Sequence, residues 1–142
     1  MKNNITSLFV YGTLRKGFHN AAYDYISKHF NWIGEAKVKG ELYDLGEYPA
    51  AIPTDEELFI KGELYELKEA GEFDWVIDQL DDYEGLNPEE GEVKLYTREP
   101  VQVFYNHQST QAWIYWYNKD VTGKPLIASG DFFEATTFKS KV

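Results

Sequence analysis

Three groups of residues in this chain have types and spacings suited to chemistry. The first is Tyr11-Gly12-Thr13-Leu14-Arg15, where a short β-rich run, Ser7 to Tyr11, turns through glycine towards a helix. A strand end of this kind leaves backbone N–H groups unpaired and outward, a nest for a carboxylate, phosphate or oxyanion. The run lacks both the P-loop spacing and the dinucleotide glycine triplet, so an ordinary tight turn is the competing reading. The second is Leu80-Asp81-Asp82-Tyr83-Glu84-Gly85, which places carboxylates at the C-terminal end of a predicted helix. The helix dipole and like charges there both disfavour ionisation and would push at least one carboxyl pKa upward, towards the range useful for proton shuttling. A solvated acidic loop is the bland alternative. A calcium-type site is a further one, although the EF-hand's alternating ligands and central glycine are missing. The third group is Tyr96 and Arg98 with Tyr115 and Tyr117. Arg98 could hold a substrate carboxylate bidentately, or simply pair with an acid such as the adjacent Glu99.

The elements that must position these groups follow from periodicity. Apolar residues at Ala22, Tyr25, Ile26 and Phe30 predict a helix from His19 to about His29. Val38, Gly40 and Leu42 alternate with Lys39, Glu41 and Tyr43 within a strand spanning Trp32 to Leu45, and Leu58 to Leu67 reads the same way. These stretches echo one another (Val38-Lys39-Gly40-Glu41-Leu42-Tyr43 against Ile60-Lys61-Gly62-Glu63-Leu64-Tyr65). Two similar barrel strands, each with a glycine where the sheet bends or another backbone comes close, account for the echo. Leu45 to Pro53, holding Tyr48-Pro49-Ala50, reads as a loop. Glu72 to Tyr83 is the strongest helix, with Phe73, Val76, Ile77 and Leu80 on one stripe and Gly85 and Pro88 to end it. Val93 to Tyr105 and Thr110 to Tyr117 are β-runs joined at Asn106-His107-Gln108. Trp113, Tyr115 and Tyr117 face one way and Ala112, Ile114 and Trp116 the other, which suits a closed or covered sheet. The expectation is one α+β domain over residues 1–142, mainly antiparallel and barrel-like.

Composition narrows the function classes. The 142 residues carry 24 acidic against 14 basic side chains, a net charge of −10. Asp78 to Glu92 holds seven carboxylates and no Lys or Arg, so fifteen residues carry −7 and the remaining 127 only −3. Such a surface repels phosphate backbones and anionic lipid, which argues against nucleic-acid and membrane partners. With no cysteine there is no disulfide, thiolate nucleophile or cysteine-ligated metal. The three histidines, His19, His29 and His107, lack metal-ligand spacing. Met1 to Phe9 does not read as a signal peptide, and no apolar run approaches the roughly 20 residues of a membrane helix. A cytoplasmic domain without metal or coenzyme is expected. The composition does not speak to oligomeric state.

Taken in order, the motifs resemble the gamma-glutamylcyclotransferase-like superfamily, especially its gamma-glutamylamine cyclotransferase-like branch. The matching runs are Phe9 to Gly17, Gly40 to Ala50, Gly62 to Tyr65, Leu80 to Gly85, Tyr96 to Arg98, Ala112 to Tyr117 and Ser129-Gly130-Asp131. The resemblance implies a small mixed, mainly antiparallel β-barrel flanked by helices around one cavity. It implies release of 5-oxoproline from a gamma-glutamyl amine or gamma-glutamyl amino acid, without metal or coenzyme. By motif position the catalytic glutamate falls on Glu84; the electrostatic reading of the same acidic run adds Asp81 and Asp82 as its tuners. Substrate binding falls on the backbone of Tyr11, Gly12, Thr13, Leu14 and Arg15, and on Tyr48, Arg98 and Tyr117. The alternatives are a non-catalytic domain on the same fold that binds a small metabolite, and a sugar-cleaving site built on two carboxyls.

Overall fold

The computed structural model describes residues 5–11, 21–45, 49–83 and 96–132. Its elements are β1 (Ser7–Val10), α1 (Ala21–His29), β2 (Phe30–Lys39), β3 (Glu41–Asp44), β4 (Pro49–Ile52), β5 (Phe59–Leu67), α2 (Phe73–Tyr83), β6 (Tyr96–Tyr105) and β7 (Gln108–Tyr117). Five strands close into a barrel in the order β1-β5-β2-β6-β7. The closing contact, Leu8 beside Trp113, is parallel, and the other barrel pairings are antiparallel. The architecture is therefore the expected α+β mixed barrel.

Alternation along the strands sorts the apolar side chains into two layers, because successive residues of a strand point to opposite faces. Phe9, Ala36, Val38, Ile60, Leu64, Val103, Ala112, Ile114 and Trp116 come from all five strands and fill the interior. Leu8, Val10, Tyr65, Leu67 and Tyr115 face outward and are covered by Ile26 of α1 and by Val76, Ile77 and Leu80 of α2. The split predicted for β7 is the one observed, with Tyr115 under the helices and Ile114 inside. Small residues inside make room for this arrangement. At Gly62 a methyl group would run into the Val10 carbonyl and lie 2.6 Å from the Phe9 ring.

Several boundaries differ from the sequence reading. The predicted strand from Trp32 to Leu45 is two strands that part at Gly40, where a methyl group would lie 2.6 Å from Ile60 Cδ1 and 3.0 Å from the Ile52 carbonyl. Its second half, β3, leaves the barrel to pair with β4, so the Gly40 and Gly62 stretches are not equivalent strands. The loop expected from Leu45 to Pro53 contains β4. Ala50 and Ala51 are both fully buried, so Pro49 to Ile52 has no period-two polarity to betray it, and its proline is the strand's first residue, where the missing N–H is tolerated. The β6–β7 turn is two residues, Asn106 and His107, at φ 48° and 63°, the type I′ geometry that matches strand twist. After β7 the chain returns to the barrel: Ile127 N–H donates to the Leu42 carbonyl (2.7 Å), and Lys61 N–H donates to that of Gly130 (2.7 Å). Gly130, at φ +72°, lies against the Phe59 carbonyl where no side chain fits. No helix among the described residues is long and apolar enough to cross a membrane.

Tyr25 of α1 is an imperfect fit. Among the described residues its hydroxyl is buried without a hydrogen-bond partner, and burial, then the nearby Glu72 charge, raise its pKa above the usual tyrosine value. An unpartnered buried hydroxyl costs free energy that a hydrogen atom does not. Tyr25→Phe is accordingly expected to stabilise the fold by about 1 kcal/mol, read as an upward shift in the urea midpoint. A destabilised variant would show that the hydroxyl is satisfied in solution.

Candidate active site

A connected polar group on the barrel joins α2, β6, β7 and the end of β1. Asp81 lies in the last turn of α2 and is 8% exposed, placed there because Val76, Ile77 and Leu80 seat the same face on the barrel. Arg98 of β6 reaches it with two parallel bonds, Nε to Oδ1 at 2.8 Å and Nη2 to Oδ2 at 3.1 Å. The guanidinium lies 4.5 Å over the Trp113 ring. The Tyr115 hydroxyl donates to Asp81 Oδ1 at 2.8 Å. The Tyr115 carbonyl in turn accepts the Tyr11 hydroxyl at the end of β1. Beside this group Tyr96 and Tyr117, opposite one another on β6 and β7, pack edge to face at 5.5 Å, and the Tyr96 hydroxyl donates to the Pro49 carbonyl at 2.8 Å.

The expected site residues divide accordingly. Arg98 and Tyr117 share the outer face of β6 and β7, whereas Tyr11 packs in the barrel interior and is linked to the group by its hydroxyl bond to the Tyr115 carbonyl. Gly12, Thr13, Leu14, Arg15, Tyr48 and Glu84 lie outside the described residues. Arg98 has an acidic partner, and it is Asp81, 17 residues away in sequence, rather than the adjacent Glu99. Asp81 is thus a bonded member of the site. The Arg98 guanidinium offsets its charge, so the like-charge crowding anticipated around Leu80 to Gly85 is weaker by one carboxylate. Glu63 was not anticipated. It is 7% exposed on β5 and accepts the Tyr65 hydroxyl at 2.9 Å. The period-two pattern of Lys61 to Leu67 already placed it on the same face as Tyr65 and Leu67.

A separate cleft of about 680 Å³ opens where β2 and β5 meet the β6–β7 turn, lined among others by Lys37, Lys61, Gly62, His107 and Asp131. Tyr11, Arg98 and Tyr117 do not line it. Among the described residues no three His, Cys, Asp or Glu side chains converge as metal ligands.

A closed mixed barrel carrying two helices on one outer layer, with a polar group where the ends of β1, β7 and α2 meet, defines a class of small α+β barrels. The chain belongs to the gamma-glutamyl cyclotransferase, AIG2-like family, whose model matches residues 8–134. It is 31% identical over 134 residues to the gamma-glutamylcyclotransferase family protein YtfP of Escherichia coli K12, an alignment covering 89% of this chain and 96% of that protein. It is 34% identical over 115 residues to the gamma-L-glutamyl-butirosin B gamma-glutamyl cyclotransferase of Niallia circulans, covering 80% of this chain and 68% of that one. Among solved structures, YkqA from Bacillus subtilis superposes with a TM-score of 0.71 at 29% identity, covering 96% of this chain but only 43% of the YkqA chain.

Proposed function

We propose that the protein is a cyclotransferase that releases 5-oxoproline from a gamma-glutamyl amine or gamma-glutamyl amino acid, with Glu84 as general acid and base. The observation that carries this reading is the family match over residues 8–134. The name of the Niallia relative, which specifies a gamma-glutamyl group on butirosin B, supports a gamma-glutamyl compound as the substrate class.

The chemistry asks little of a protein beyond placement and one proton carrier. The substrate's α-ammonium must lose a proton before it can attack, and the Glu84 carboxylate takes that proton. The freed amine attacks the substrate's own γ-carbonyl, forming the C–N bond that closes the five-membered ring. Holding the glutamyl chain folded back supplies much of the rate, because the attack is intramolecular. Backbone N–H groups from Tyr11 to Leu14 stabilise either the α-carboxylate or the developing oxyanion. The γ-amide C–N bond then breaks as Glu84 passes its proton to the departing nitrogen, and the second proton shed by the ring nitrogen follows by the same carboxylate, so that the amine leaves as its ammonium. Atoms balance with no water consumed and no cofactor. Tyr48 and Tyr117 border the glutamyl group on this reading. Arg98 contributes by its hold on Asp81, since its Nε and Nη2 are already engaged there.

Incubation with a panel of gamma-glutamyl amines and gamma-glutamyl dipeptides is expected to yield 5-oxoproline and free amine in equal amounts, with no loss on addition of EDTA. Mass spectrometry reads both products. Saturable binding with no product across the panel would replace the enzyme with a metabolite-binding domain on the same fold.

A further inference from the structure

We propose that Asp81 and Arg98 are positioning residues, whose ion pair, extended through Tyr115 to Tyr11, fastens the last turn of α2 to the end of β1. Its consequence for catalysis rests on the function proposed above. The two chain segments so joined lead directly into the residues assigned to the chemistry. Tyr11 is followed by Gly12, and Tyr83, the last residue of α2, by Glu84.

Packing alone does not call for a carboxylate at this place. Val76, Ile77 and Leu80 already seat α2 with an apolar stripe. A negative side chain in the last turn opposes the helix dipole, and a buried ion pair seldom adds net stability over apolar residues of similar size. What such a pair adds is geometry. The two-pronged contact of Arg98 with both Asp81 oxygens fixes distance and orientation together, and the Trp113 ring on which the guanidinium lies restricts its plane. Tyr115 completes the link because it touches both ends. Its hydroxyl reaches Asp81 on α2, and its carbonyl takes the hydroxyl of Tyr11, the residue that follows β1. Since β1 lies beside β7 in parallel register at Leu8 and Trp113, the chain leaving β1 carries Tyr11 alongside Tyr115. A general base must be within hydrogen-bond reach of its proton, and errors of about 1 Å can cost on the order of a hundredfold in rate. A rigid tie between the two segments meets that requirement.

The test is a double-mutant cycle of Asp81→Asn and Arg98→Met, with Tyr115→Phe as a third, milder cut and Arg98→Lys as the conservative variant. Each of the first two substitutions is expected to lower kcat about tenfold or more while KM stays within about threefold. The double variant should be within about twofold of the worse single one, because both remove the same link. Arg98→Lys, which keeps the charge but not the fork, should recover only part of the loss. If Arg98 instead gripped a substrate carboxylate, Arg98→Met would act mainly on KM, and that result overturns the proposal. Hydrogen exchange supplies a readout independent of turnover. Arg98→Met should speed amide exchange in peptides covering both 80–83 and 8–11, although Arg98 lies in neither. Exchange unchanged in either peptide, or kcat losses that add in the double variant, would also overturn it. Should Asp81→Asn fail to fold, Arg98→Lys and Tyr115→Phe carry the same exchange measurement. A wild-type protein that forms no 5-oxoproline would remove the functional reading, while the paired exchange response still decides whether the tie exists.

Discussion

Gly62→Ala is expected to destabilise the protein by about 3 kcal/mol, a large share of the roughly 5–15 kcal/mol that holds an average domain folded. The added methyl would meet the Val10 carbonyl and the Phe9 ring, with Cζ at 2.6 Å and Cε1 at 2.9 Å. Neither neighbour is a flexible chain end. Val10 and Phe9 are paired with Glu63 and Leu64 in the β1–β5 ladder, and Phe9, 1% exposed, is packed inside the barrel. Relief therefore requires β1 to shift against β5, which combines overpacking with weakened ladder bonds. Gly34→Ala is the matched control. It sits in β2, where a methyl would meet nothing within 4 Å, and is expected to stay within about 0.5 kcal/mol of wild type. Urea denaturation of both variants checks the pair. Equal stabilities would mean that the close approach at Gly62 relaxes in solution. Because β1 runs directly into Tyr11, the same shift should also disturb the site.

The barrel was legible in the sequence because its strands advertise two buried faces. Trp113, Tyr115 and Tyr117 alternate with Ala112, Ile114 and Trp116, and only a closed sheet with a covered exterior buries both sets. The helices were legible for the complementary reason: a one-sided apolar stripe, as in Val76, Ile77 and Leu80, needs one surface to lie on. What escaped the reading lacked periodicity or depended on distant contacts. β4 is Pro-Ala-Ala-Ile, buried on both faces and too short to show alternation. Gly40 and Gly62 sit in nearly identical local sequence, yet one ends a strand and the other lies within one, because different neighbours press on them. The partner of Arg98 is non-local as well. Strand geometry nevertheless held a clue, since Glu99, the next residue, must point to the opposite face from Arg98. An acid that could reach Arg98 side-on had to come from another element, and the amphipathic helix with Asp81 in its last turn carries carboxylates near its buried stripe.

Glu84→Gln is expected to lower kcat for 5-oxoproline formation by about 10²- to 10⁴-fold, the range that a positioned acid–base group contributes. Glutamine keeps the size and the hydrogen-bonding reach of the side chain but cannot take a proton, so substrate recognition should survive while the α-ammonium remains protonated and inert. KM is therefore expected to change little, which separates this variant from substitutions that weaken binding. Its pH dependence carries the stronger discrimination. On the proposed mechanism Glu84 delivers the free amine in the wild-type protein, whereas in the variant only solvent can. The residual rate should then climb about tenfold per pH unit until the substrate's own amine titrates, and the gap to wild type should narrow as it does. Glu84→Asp, which retains the carboxylate but withdraws it by one methylene, should fall between the two. A folded Glu84→Gln protein that forms 5-oxoproline as fast as wild type would remove Glu84 from the mechanism. A parallel loss with an unchanged pH profile would assign it to orientation, and the proton would then have to leave through another group.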